Sequence, residues 1–343
     1  MRTIDLRSDT ITLPTDEMRQ AMYEAELGDD VFGEDPTINR LEEMSAHMLG
    51  KEAALFTTSG TMSNLISVLA HTRPGNEILV GSEAHMFWNE VGGASALGGV
   101  IMHMVPNTPD GQIKPSAISE SIRAENIHYP QTALLCLENT HNRCGGTVLT
   151  PEYTHDVAQL AHQHSLQVHL DGARIFNASI ALGVPASELA KAVDSVCFCL
   201  SKGLSAPVGS LICGNQEFIN RTRKWRKMLG GGMRQAGVIA AAGIVALQKM
   251  VNRLAEDHVT AKQLANGLTE IPGISINPEK IQTNIVIFET PSTISGPEFI
   301  QRMGAQGVRL SHTGGQRVRA VTHRMVNATD IDEALGRIKL FLR

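Results

Sequence analysis

Short apolar runs alternate with longer mixed segments through the middle of the chain. The runs fall at 77–80, 100–105, 133–137, 168–170, 195–200 and 210–213, each of strand length. Between them the apolar residues recur at helical spacing. In 151–166, for example, Tyr153, Val157, Leu160 and Ala161 share one face. Strands alternating with helices predict an α/β fold of three layers around a mostly parallel sheet. Asp35-Pro36 supplies an N-cap and a first-turn proline, so a helix is expected over 37–49. From Ala236 to about Leu268, Ala240, Ile244, Leu247, Val251 and Leu254 repeat every three to four residues and predict one long helix bridging two lobes. Beyond it, 283–288 and 316–321 read as strands and 330–340 as a closing helix. These make a smaller C-terminal α+β lobe. The expected division is an amino-terminal arm and large domain over 1–250 and a small domain over 251–343.

Composition is consistent with two lobes. A chain of 343 residues, 42% of them apolar, exceeds the roughly 250–300 residues at which a single core stops growing. Thirty basic and thirty-five acidic side chains give a net charge of -5, which offers no general attraction to nucleic acid or an anionic membrane. A small-molecule partner is expected instead. Arg221-Thr222-Arg223-Lys224-Trp225-Arg226-Lys227 interleaves an aromatic with cations, but in this acidic chain it reads as a solvated helix face or a subunit interface. The first residues lack the apolar stretch of a signal peptide, and no window approaches roughly 18 apolar residues. A soluble, cytoplasmic protein is the expectation. Cys136, Cys144, Cys197, Cys199 and Cys213 form no C-x-x-C pair, so reduced and mostly buried thiols are expected. Cys197 and Cys199 would face the same side of a strand, which permits a metal or redox pair; packing beside Val196 and Phe198 is the simpler reading.

Two short segments change the picture from fold to chemistry. Lys202, in Phe198-Cys199-Leu200-Ser201-Lys202-Gly203, follows an apolar strand, and Asp171, in His169-Leu170-Asp171-Gly172-Ala173-Arg174, ends an earlier one. Together they look like a pyridoxal 5'-phosphate site. The amine can form a Schiff base with the cofactor aldehyde, while the carboxylate can keep the ring nitrogen protonated as an electron sink. Alone, each is an ordinary turn. Both would lie past the carboxyl ends of strands, where open α/β sheets bind ligands. Ser59-Gly60-Thr61-Met62-Ser63-Asn64 places a glycine turn at a helix start, so exposed N–H groups and the Thr61 hydroxyl can hold the phosphate; a plain N-cap is the alternative.

No nucleotide fingerprint competes: Gly230-Gly231-Gly232-Met233-Arg234-Gln235 lacks the third glycine of a dinucleotide loop, and no G-x-x-x-x-G-K-[ST] is present. His85 follows another strand end and could stack on the cofactor and accept a proton. His128 and His141 are loop histidines for which function and simple surface or packing roles are equally open. Arg174 and Arg319 are candidates for a substrate carboxylate, because a guanidinium binds that group through a planar fork. Asp29, Asp30, Glu34 and Asp35 lack calcium-loop spacing and read as turn and cap residues, so no metal is expected.

Several blocks read together carry a family resemblance: Asp5-Leu6-Arg7-Ser8-Asp9-Thr10, Gly28-Asp29-Asp30-Val31-Phe32-Gly33-Glu34-Asp35-Pro36, the Asp171 and Lys202 segments, Gly230-Gly231-Gly232-Met233-Arg234-Gln235 and Val321-Thr322-His323. The chain closely resembles the low-specificity L-threonine aldolases over nearly its whole length. The resemblance implies the aspartate-aminotransferase fold, cleavage of L-threonine or L-allo-threonine to glycine and acetaldehyde, and the reverse addition of glycine to aldehydes. It makes Lys202 the Schiff-base lysine, Asp171 the partner of the pyridine nitrogen and His85 the residue stacked on the ring. Gly60, Thr61 and Arg234 would hold the phosphate. Ser8, Arg174 and Arg319 would hold the substrate carboxylate, and His85 and His128 would lie near the β-hydroxyl. It also implies a homo-oligomer built from dimers, commonly a tetramer. Asn89 departs from the aromatic expected at its position and bears on the wall beside the β-substituent. The alternative is another pyridoxal phosphate lyase, or a hydroxymethyltransferase, acting on β-hydroxy amino acids.

Overall fold

The computed structural model describes residues 2–342. Their strands are β1 Ile4–Asp5, β2 Ala53–Thr57, β3 Glu77–Gly81, β4 Ile101–Val105, β5 Thr132–Glu138, β6 Gln167–Asp171, β7 Ser195–Cys199, β8 Ser210–Gly214, β9 Ile285–Glu289, β10 Val308–Arg309, β11 Ser311–Gly314 and β12 Arg317–Val321. A seven-stranded sheet has the order β2-β8-β7-β6-β5-β3-β4. Only β8 runs against its neighbours; the rest are parallel. Strands β3, β7 and β8 are buried along their full length, as expected of a sheet covered on both faces.

Alternation along the strands assigns the layers. On β6 and β7, Val168, Leu170, Val196 and Phe198 join the main core with Val157, Ala158 and Ala161 of the helix Pro151–Gln163. Cys197 points the other way, into a cluster with Ile66 of the helix Gly60–His71 and Phe218 and Ile219 of the helix Gln216–Met228. His169, Asp171 and Ser195 share that second side by the same two-residue period. The expected α/β architecture with a mostly parallel sheet is therefore present.

The strands β11, β12 and β9 form a separate antiparallel sheet. Its core takes Ala261, Leu264, Phe288, Phe299, Ala320 and Ile338, and also Ile4 and Leu6 from the amino-terminal arm. That arm pairs β1 with β10 in parallel. The helix over Pro36–Leu49 starts as its sequence predicts: the Asp35 carboxylate accepts from the N–H groups of Thr37 and Ile38, with Pro36 in the first turn.

One expectation fails in detail. The repeat from 236 to 268 does not form one helix. Gly237–Val245 runs into a wider π segment, Ala246–Met250, and a turn precedes Leu254–Thr269, with a 67° bend between the two arms. Apolar spacing survives across the bend because residues on both sides are buried, Leu247 and Leu254 included. Periodicity reports the buried face; the backbone hydrogen-bond shift of a π turn leaves it intact while redirecting the axis. Among the described residues no single helix is long and apolar enough to cross a membrane.

Candidate active site

Because β2, β3, β5, β6 and β7 run the same way, the segments after them emerge at one edge of the sheet. These segments carry Gly60, His85, Asn139, Asp171 and Lys202. Asp171, the last residue of β6, is buried between its register partners Glu138 and Cys197. Its Oδ2 accepts from Asn64 Nδ2 at 2.9 Å, and Oδ1 accepts from the Ala173 N–H at 3.1 Å. Burial pushes its carboxyl upward, but the nearby charges of His85 and Lys202, with the Asn64 and Ala173 hydrogen bonds, hold it below its ordinary value. It is therefore a fixed anion. The Lys202 charge also lowers Asp9, so it acts on both carboxylates. The turn that carries it is tied to the amino-terminal arm, where the Thr12 hydroxyl donates to the Lys202 carbonyl at 2.8 Å.

His85 opens a short helical turn, His85–Trp88, after β3. Its backbone N–H donates to Glu138 Oε2 at 2.7 Å, and its Nδ1 lies 2.8 Å from Glu90 Oε1. With Glu90 as a carboxylate, which only accepts, Nδ1 is the donor and Nε2 is the ring nitrogen left for another partner. Burial lowers the pKa of this imidazole, yet the Glu90 hydrogen bond and the Asp171, Glu90 and Glu138 charges outweigh it and raise the net value. His85, Glu90 and Asp171 present ligand atoms within 4.8 Å of one another, a spacing that could suit a metal. Here the closeness is that of a hydrogen-bonded set: Asn64 Nδ2 donates to Glu90 as well as to Asp171.

The helix Gly60–His71 starts beside this edge. Ser59 caps it by accepting from the Met62 N–H, which leaves the N–H groups of Gly60 and Thr61 without intrahelical partners. A side chain at Gly60 would meet Cys199 Sγ at 2.8 Å, so the glycine lets the helix end approach β7. Arg234 lies on the segment whose Gly231 packs on Met62, but its guanidinium pairs with Asp29 at 2.9 Å and is half exposed.

Arg174 is buried, and its Nε and Nη2 donate to Asp9 at 2.8 and 2.7 Å. One edge of the fork is thus taken internally, and the remaining N–H groups are the ones open to a ligand. Arg319, on β12, donates from Nη1 to Asn142 Oδ1 at 2.8 Å and from Nη2 to the Arg7 carbonyl at 3.2 Å. Burial and the neighbouring Arg174 charge lower its pKa to about 10, and its buried Nε has no partner. Two neighbouring cations thus carry donors that the fold leaves unused, a property that suits a carboxylate. Ser8 caps the turn that holds Asp9, the Arg174 partner.

Other candidates fall elsewhere. His128 is exposed in a loop whose neighbours Arg123 and Gln131 bond the first residues of β3 and β5: Arg123 Nε donates to Glu77 at 2.8 Å, and the Glu77 N–H donates to Gln131. This is the amino-end edge, opposite Lys202, so the chain itself does not bring His128 to the site. His141 is buried with both ring nitrogens unpartnered, and Asn89 is an exposed residue closing the His85 turn. The expected solvated face of 221–227 is corrected at Arg226, which is buried and pairs with Asp30 while donating to the Phe56 carbonyl. Asp29 and Asp35 are cap residues, Asp35 for a helix and Asp29 for a 3-10 turn. Cys197 and Cys199 are buried, and the Cys197 thiol donates to Asn64 Oδ1 at 3.1 Å.

Sequence reasoning missed Asn64, Glu90 and Asp9. Asn64 carried only a faint signal, an amide one heptad before His71 on a helix that also holds Thr61, Ser63 and Ser67. Glu90 lies in a loop, where no period marks what faces inward.

The model of the family described as beta-eliminating lyase matches residues 5–291. A low-specificity L-threonine aldolase of Arabidopsis thaliana is 48% identical over 341 residues, 98% of this chain and 95% of the relative. A solved threonine aldolase of Leishmania major superposes with a TM-score of 0.83 at 19% identity, covering 99% of each chain. An aspartate aminotransferase of Thermus thermophilus superposes with a TM-score of 0.76 at 16% identity, covering 99% of this chain and 91% of that one, so the architecture is of the aminotransferase type. With Lys202 and Asp171 at one sheet edge and these likenesses over nearly the full length, the chain belongs to the beta-eliminating lyase family and, within it, to the low-specificity L-threonine aldolases.

Proposed function

We propose that the protein cleaves L-threonine and L-allo-threonine to glycine and acetaldehyde with bound pyridoxal 5'-phosphate, and adds glycine to aldehydes in reverse. The observation that carries this reading is the fixed Asp171 anion facing the Lys202 charge at a single sheet edge. The names of the relatives supply the substrate.

The residues fit the cofactor on three counts. The free N–H groups of Gly60 and Thr61 suit its phosphate, an approach that Gly60 permits beside Cys199. Asp171, buried and anionic, suits a protonated ring nitrogen, and Lys202 suits the aldehyde. When bound, pyridoxal phosphate supplies an electrophilic carbon for an amine and a ring that draws electrons from the bond being broken. Arg234 joins the phosphate set if it exchanges Asp29 for that anion.

Around that group, each side chain has a separate task. The open edge of Arg174 and the unpartnered Nε of Arg319 hold the substrate carboxylate, with Ser8 alongside, and so orient the Cα–Cβ bond. Glu90 holds the proton on His85 Nδ1, leaving Nε2 to take the β-hydroxyl proton as acetaldehyde departs. His128 approaches this hydroxyl only from another copy of the chain, in keeping with a homo-oligomer, dimer-based or tetrameric. Its loop exposes Ile127, at 94%, and half-exposes Tyr129.

The test is acetaldehyde release by the cofactor-loaded protein from each substrate in separate assays. Release from either, abolished in Lys202→Ala, is the expected result. No release from both, with the cofactor bound, would overturn the substrate assignment.

A further inference from the structure

Asn64 sits where the two working halves of the site meet. Its Nδ2 donates to Asp171 Oδ2 at 2.9 Å and to Glu90 Oε1 at 2.8 Å, so one amide group touches both the carboxylate at the sheet edge and the carboxylate that orients His85. Its amide orientation is set by chemistry alone, since the two carboxylates can only accept and the NH2 must face them.

The other end of the amide is anchored by a buried chain. Asn64 Oδ1 accepts from Cys197 Sγ at 3.1 Å and lies 3.1 Å from His169 Nε2. His169 must therefore carry its proton on Nε2, which leaves Nδ1 to accept from the Ser195 hydroxyl at 2.8 Å. Ser195 Oγ in turn accepts from His71 Nε2 at 2.7 Å. Each member follows from the elements: His169 and Ser195 are register partners across β6 and β7, and Asn64 and His71 are seven apart on the helix covering that face. His71 ends the chain against Phe218, with the rings stacked at 4.4 Å. Burial keeps both histidines neutral, His169 near 4 and His71 near 3, so no excess proton disturbs the order of donors.

We propose that Asn64 is a positioning residue that fixes Asp171 and Glu90 relative to each other, and that the His169–Ser195–His71 chain sets the direction of its amide. The proposal rests on the reading that Asp171 serves the cofactor ring and His85 the hydroxyl. Its consequence is coupling: a change at Asn64 or His169, neither of which need touch substrate, alters the behaviour of both Asp171 and His85.

Two measurements test it. Nitrogen-15 NMR of the histidine side chains in the cofactor-loaded protein should show neutral His169 and His71, both as the Nε2–H form; an Nδ1–H form at His169 would overturn the chain. The second measurement compares His169→Gln, whose amide nitrogen can occupy the Nε2 position and donate to Asn64, with His169→Leu and Asn64→Leu, which break the link. The leucine variants should lower kcat by roughly tenfold or more, as is typical when a group orienting a primary contact is lost, with a smaller change in KM. They should also shift the pH at which the cofactor absorbance changes and the kcat profile bends. Glu90, Asp171 and Glu138 all face His85, and Lys202 faces Asp171, so these groups are held constant. His169→Gln should restore most of the wild-type profile. Wild-type profiles in both leucine variants, or no recovery with glutamine, would refute the coupling. If threonine proves not to be a substrate while the absorbance and tautomer results hold, the functional reading fails and the coupling stands.

Discussion

At Asp9 and Arg174 a buried charge pair carries two burdens at once. The pair fixes the Arg174 guanidinium proposed to hold the substrate carboxylate, yet each ion is out of water and depends on the other. Removing one partner of such a pair leaves an uncompensated buried charge, so Asp9→Asn should cost roughly 3–5 kcal/mol in chemical denaturation. The sign with pH follows from the Asp9 carboxyl. Burial raises it, but Arg174, Lys202 and Asn284 hold it well below its ordinary value. Stability from this group is thus fully present above the unfolded carboxylate value and falls as acid titrates the folded one. Below about pH 4 the midpoint difference between wild type and Asp9→Asn should narrow. The placement of Lys202, Asp171 and Arg174 at one sheet edge was legible in the sequence because strand ends and short polar motifs mark them. Asn64 and Glu90 were not, since their meaning lies in partners from other elements that no spacing encodes. Arg174 was half legible: its place beside Asp171 was clear, whereas its bond to Asp9 crosses from the amino-terminal arm.

The helix Gly60–His71 illustrates how an element serves the site. Its first turn faces the sheet edge, its Asn64 bridges two carboxylates and its last residue closes the histidine chain. Gly60→Ala puts a methyl against Cys199 Sγ at 2.8 Å and should cost about 1–3 kcal/mol while weakening cofactor binding. Gly60→Ala combined with Cys199→Ala should recover much of both losses in thermal unfolding and cofactor titration. Persistence of the defect in the double variant would show that the contact is not the cause. Strand and helix alternation made the large sheet readable, because buried parallel strands are continuous apolar runs. The bend at Ala246–Met250 was not readable, because a π turn conserves the buried face. The pairing of β1 with β10 was equally silent: two residues are too few to display a period.

At the scale of the molecule, buried histidines make acid stability a shared property. Burial lowers His169 to about 4, His71 to about 3 and His258 to about 4, against an unfolded value near 6.5. Between these values the unfolded chain binds protons that the folded one refuses, so stability should fall as pH drops from about 6.5. The slope should approach 1.4 kcal/mol per pH unit for each histidine. Denaturation midpoints from pH 7 to 4 measure this, and His258→Gln should flatten the fall.

The edge on which His128 lies gives a second molecular-scale expectation. Co-expressed Lys202→Ala and His128→Ala chains, each inactive alone, should form mixed oligomers with partial activity, because one subunit then supplies Lys202 and the other His128. Failure to complement in isolated mixed oligomers would place His128 outside the site.

The central claim is that Lys202 is the amine to which the cofactor is bound at the edge shared with Asp171. Borohydride reduction of the cofactor-loaded protein, followed by peptide mass mapping, tests it most directly. The account predicts the cofactor mass fixed to the peptide containing Lys202 and absent from Lys202→Ala; the mass on another lysine, or on none, would contradict it.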